Sequence, residues 1–132
     1  MKYFIAAVLA LSIMGCSKSR YPNQLSVDIV TEKLHENGPN IFCDQPGYSA
    51  CFDITQTQCL TDMTDISTSC IKKLDSKFGK TSVNNMDEYA KHYSACVVTE
   101  HFFQYMDTID GVASCVQDLN YDEKQGMRSL FK

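Results

Sequence analysis

The chain has 132 residues, 44% of them hydrophobic, with sparse Gly and Pro and a net charge of −4. That length supports one domain, and the apolar fraction is ordinary for a globular fold. An acidic balance excludes nucleic acid as a ligand, because phosphate binding needs a basic face.

Met1-Lys2-Tyr3 opens the chain with a positive charge, and Phe4 to Ile13 is an apolar run ending before Gly15-Cys16. This is the layout of an export signal, and the run is shorter than the roughly 20 apolar residues a membrane-crossing helix requires. The sequence Ser12-Ile13-Met14-Gly15-Cys16 resembles the lipobox of bacterial lipoproteins, with an aliphatic residue three places before the Cys and a small one directly before it. The resemblance covers residues 1–16. It implies removal of residues 1–15, acylation of Cys16 and membrane attachment through the acyl chains. Two or more such chains make the anchoring stable. Ser17 is not the Asp that the family uses for inner-membrane retention, so the resemblance points to the inner leaflet of the outer membrane, facing the periplasm.

Residues 16–24 form a lipidated tether, polar and broken by Pro22, and residues 25–132 are the folding domain. Loss of Lys2 with the signal leaves that domain more acidic still.

The seven Cys are an odd set, and setting Cys16 aside leaves Cys43, Cys51, Cys59, Cys70, Cys96 and Cys115. An even set in an exported domain predicts three disulfides. Six Cys permit fifteen connectivities. Spacing favours Cys96 with Cys115 across a break near Met106-Asp107, and a sequential pattern would add Cys59 with Cys70 and Cys43 with Cys51. Zinc-type spacing is absent, so neither metal nor cofactor is expected.

Leu25, Val27 and Ile29 alternate like a strand, while Ile29, Val30 and Leu34 equally suit a helix, and Gly38-Pro39 is expected to end either. Residues 40–48 read as a loop, after which Ser49 is expected to cap a short helix carrying Cys51 and Cys59. Asp62 is placed to cap the next, with Met63, Ile66, Cys70, Ile71, Leu74 and Phe78 at helical steps and Gly79 as the stop. Residues 82–85 offer caps for a helix of about twenty residues beginning near Met86. Asp107 or Thr108 starts another, ending by Asn120, and residues 121–131 add a short last one. The fold class is therefore mainly α, a small bundle of four or five helices held by three disulfides.

Chemistry is sparse. None of the familiar local motifs for nucleophilic, zinc-hydrolytic or phosphate-binding catalysis occurs, so enzyme activity is not expected. His35, His92 and His101 have no visible partners, and packing or a surface position accounts for His101. Asp107, Asp110, Asp118, Asp122 and Glu123 lack calcium-loop spacing and read as a solvated acidic surface. Tyr89, Tyr93, Phe102, Phe103 and Tyr105, with Tyr48, exceed what one helix stripe buries, so core packing competes with an aromatic patch for a protein partner. The mature domain is loosely similar to small helical, disulfide-bonded periplasmic immunity proteins, though no residue motif carries that likeness. The function expected is a lipid-anchored periplasmic binding protein, in its sharper form a toxin-neutralising inhibitor. The alternative is a structural accessory lipoprotein of a secretion, conjugation or envelope-assembly machine.

Overall fold

The computed structural model describes residues 23–132, and the expected signal segment, Cys16 and nearly all of the expected tether lie outside them. Among the described residues the chain forms six α-helices and no strand.

The first helix, α1, spans Gln24–Cys43, with the Asn23 side chain accepting from the Ser26 amide at 2.8 Å as an N-cap. It settles the ambiguity at residues 25–34 in favour of helix. It also runs through Gly38 and Pro39, where a stop was expected. Proline inside a helix loses a backbone hydrogen bond at a cost of about 3 kcal/mol, and here tertiary packing outweighs that cost. Gly38 and Pro39 are both buried, and the missing Cβ at Gly38 makes room for the Tyr93 hydroxyl of a neighbouring helix. Residues 40–43 are therefore helical, and the loop is reduced to residues 44–47.

Gly47, at φ 85°, precedes the four-residue α2, Tyr48–Cys51, so Ser49 lies within that helix and does not cap it. Cys59 is not in that short helix. It belongs to α3, Gln56–Phe78, which begins two turns before the expected Asp62 because Thr55 accepts from the Gln58 amide at 3.1 Å. Gly79 ends α3 at φ 68°, a conformation that suits glycine. Helix α4, Met86–Gln104, follows Asn85 and leads through a 3-10 turn at Met106–Thr108 into α5, Ile109–Gln117. Asp122 caps the last helix, α6, Glu123–Leu130, accepting from the amides of Lys124 and Gln125.

Helix α3 sits between α1 and α4, α6 lies along α1, and α5 packs on α2 and the end of α4. The core is continuous across them: Leu34 and Phe42 of α1, Met63, Ile66 and Leu74 of α3, and Tyr89, Tyr93 and Val97 of α4. The i, i+4 repeat of Tyr89, Tyr93, Val97 and His101 makes one buried stripe down α4. Two side chains tie α6 to α1. Asn37 donates to the Leu130 carbonyl at 3.1 Å, and Gln45 exchanges two hydrogen bonds of 3.2 Å with the Asp122 backbone.

All six Cys of the domain are bridged, as Cys43–Cys59, Cys51–Cys115 and Cys70–Cys96. The expected pairing is overturned at every bond. Cys59 and Cys70 lie on one helix, eleven residues and about 16 Å apart, far beyond the reach of a disulfide. Cys96 faces α3 instead of α5, because α4 packs along α3. Cys115 meets Cys51 because the 3-10 turn swings α5 away from α4 and onto α2.

Candidate functional site

The aromatic residues named as candidates for partner binding mostly build the interior. Tyr89 is 0% exposed and Tyr93 1%, with Tyr48 also buried, and their hydroxyls are satisfied internally. Tyr93 pairs with Ser67 Oγ at 2.8 Å, and Tyr89 donates to Asp75 Oδ1 at 2.8 Å. Burial raises the pKa of all three phenols, and the Asp75 carboxylate adds to the effect at Tyr89. Phe102 is half-buried and stacks on Phe52 with centroids 5.7 Å apart. Tyr105 is half-buried too and donates to Asp62 Oδ2 at 2.7 Å. Burial and that carboxylate push its pKa up to about 12. Only Phe103, at 57% exposure, faces solvent, near the exposed Met106.

His101 is fully buried, a stronger packing role than a partly buried or surface position. Its ring stacks on Tyr48, with Nδ1 3.1 Å from the phenol oxygen, and touches Phe52 and Tyr105. Nε2 has no hydrogen-bond partner among the described residues. Burial lowers the His101 pKa, opposed by the charge of Asp62. His92 lies on the surface beside Glu88, 3.8 Å away, and against the Phe78 ring.

The acidic residues singled out in the sequence do not converge. Asp107, Asp110 and Asp118 are separately exposed, and Asp122 is a helix cap. Among the described residues no three His, Cys, Asp or Glu side chains meet in a metal-holding group. The carboxylates that do come together are others. Asp28, Glu32 and Glu36 lie on one face of α1, and with His35 of α1 and Asp75 and Lys80 across the gap they line an open cleft of about 640 Å³. Its inner edge is closed by a 2.8 Å hydrogen bond between Thr31 and Thr81. Glu36 also pairs with Lys33 at 2.6 Å. Steps of four residues on an α-helix place 28, 32 and 36 together. That signal is visible in the sequence once residues 24–43 are known to be helical.

On another side of α1, Val30, Leu34 and Ile41 form one wall of an apolar groove of about 410 Å³. Met86 and Ala90 of α4 and Met127 and Leu130 of α6 complete it. The groove exists because α1 and α4 both pack on α3 without filling the space between them, and α6 covers one end. Helix α1 thus presents negative charge on one side and, on another, one wall of an apolar groove whose other walls include the adaptable side chains Met86 and Met127.

No protein-family model, curated protein or solved structure matches the chain. Among the described residues, no helix is long and apolar enough to cross a membrane.

Proposed function

We propose that the protein is a lipid-anchored binding protein of the bacterial envelope, attached through acyl chains on Cys16 to the inner leaflet of the outer membrane. In its sharper form it is an immunity-type inhibitor that neutralises a toxin acting in the periplasm. The observation that carries the binding role is the two-sided α1, with its acidic cleft and its apolar groove. A cationic protein with an apolar segment is the complementary partner, since opposite charge steers encounter and apolar burial supplies affinity. Complete pairing of the six domain Cys supports the address, because Cys16 is then the odd one, within the lipobox-like motif.

The test is crosslinked capture of the native, lipidated protein, repeated with Asp28→Lys/Glu32→Lys. A specific envelope partner whose capture weakens with salt and with charge reversal supports the proposal. Capture indifferent to both changes, or recovery only with a large membrane assembly, favours the accessory-lipoprotein role. For the inhibitor form, a growth assay against a toxin encoded beside the gene must show protection, and its absence rejects that form. Cys16→Ala should abolish acylation while leaving helicity and all three bridges intact, as read by mass spectrometry and circular dichroism.

A further inference from the structure

The three bridges differ in how the fold shelters them. Cys43 and Cys59 are both buried, and Cys70 is fully buried opposite a half-buried Cys96. Cys115 is exposed, and its partner Cys51 is half-buried. The two sheltered bridges join long helices within the core, whereas the exposed one joins the four-residue α2 to α5.

Helix α5 is otherwise weakly held. It contributes one buried residue, Val112, and irregular chain borders it at both ends, the 3-10 turn before it and residues 118–122 after it. Among the described residues no side-chain hydrogen bond or ion pair links residues 109–117 to another element. Under the C-terminal end of α5 lies a cavity of about 190 Å³, walled by Phe42, Tyr48 and Val98 of the body, by Val116 of α5 and by Leu119 of the connection that follows it. The bridge is therefore the one disulfide hold on a helix whose C-terminal end, through Val116, helps to cover apolar space.

We propose that Cys51–Cys115 is a site of thiol–disulfide exchange with a dithiol reductant, and that its opening lets α5 lift from the cavity. One thiolate of the reductant attacks Sγ of the exposed Cys115, forming a mixed disulfide and expelling Cys51 as a thiolate that takes up a proton. The second thiol of the reductant then displaces Cys115, which is protonated in turn. The reductant leaves as a disulfide, and two electrons have passed to the Cys pair. The four sheltered sulfurs need a larger opening of the fold before attack. This site is independent of the binding role proposed above and of acylation at Cys16.

The test uses the full chain, folded, in graded dithiothreitol, with pulses of alkylating reagent and peptide mapping. Cys16 is scored separately, since only an unacylated Cys16 carries a free thiol before reduction. Cys51 and Cys115 should be labelled together, at least about tenfold faster than the other four. At that stage far-ultraviolet circular dichroism should be unchanged, while anilinonaphthalene sulfonate fluorescence rises as the cavity is uncovered. Simultaneous labelling of all six, or earlier labelling of either sheltered pair, overturns the site. Selective labelling without a rise in dye fluorescence overturns the lifting of α5. The variant Cys51→Ser/Cys115→Ser should bind the dye without reductant, and if it fails to fold, the wild-type labelling order still decides.

Discussion

His101 concentrates the most consequential chemistry of any single residue. It is caged by Tyr48, Phe52 and Tyr105, with Nε2 unpaired among the described residues, and its burial disfavours the charged form. Its folded-state pKa lies below the ordinary 6.5, so the unfolded chain takes up the proton first and stability falls as pH drops below that value. The loss levels off once the folded-state value is passed. Urea midpoints measured from pH 7 to pH 5 should decline for the wild type and flatten for His101→Phe. An undiminished slope in the variant would assign the effect elsewhere. Asp44 acts in a separate, more acidic window. Burial alone would raise its pKa, but Lys132 at 2.7 Å and Gln56 at 2.7 Å hold it below the usual value, so its contribution is lost only near and below the ordinary 3.8. Gly38 offers a test of sign. Gly→Ala in a helix interior ordinarily stabilises by about 1 kcal/mol, yet a Cβ here strikes the Tyr93 hydroxyl. Gly38→Ala should cost about 1–3 kcal/mol, and adding Tyr93→Phe should recover part of it, as measured by a thermal-denaturation double-mutant cycle.

At the scale of elements, α6 shows how a short helix is retained. Eight residues are too few for stability on their own, and Gln45 and Asn37 of the α1 region supply the anchoring hydrogen bonds. Gln45→Ala removes both hydrogen bonds to the Asp122 backbone, leaving its amide without the Gln45 partner while its carbonyl keeps the Gly126 amide, and should cost about 1 kcal/mol. Hydrogen exchange should then accelerate in residues 123–130 before it does in α3. Uniform acceleration across the domain would mean that α6 is no separate unit. The same element-level reasoning explains α1. Sequence signals at Gly38-Pro39 favour a break, but the helix continues because its next turn delivers Phe42 to the core and Cys43 to Cys59.

Across the whole molecule, the disulfides join the long helices into one frame. Removing the bridge between α3 and α4 with Cys70→Ala/Cys96→Ala, which opens a loop of sequence separation 26, should cost roughly 3 kcal/mol. A lowered melting temperature with helicity retained at low temperature is the expected result. No change in stability would mean that helix packing alone holds α4 in place.

The helical class, the Gly79 stop, the start of α4 near Met86 and the engagement of all six domain Cys were legible in the sequence. Each rests on local periodicity, local backbone preference or simple parity. Tertiary structure alone decided which Cys meet, since pairing depends on where α5 swings after the 3-10 turn, and no local signal encodes that direction. It also decided the fate of the aromatics. Tyr89 and Tyr93 are as compatible with a surface patch as with a core until α3 is placed against them, and that placement buries both. The acidic face of α1 was hidden for a related reason. Three carboxylates at four-residue steps converge only if the segment is a helix, and the alternation of Leu25, Val27 and Ile29 left strand and helix both open there.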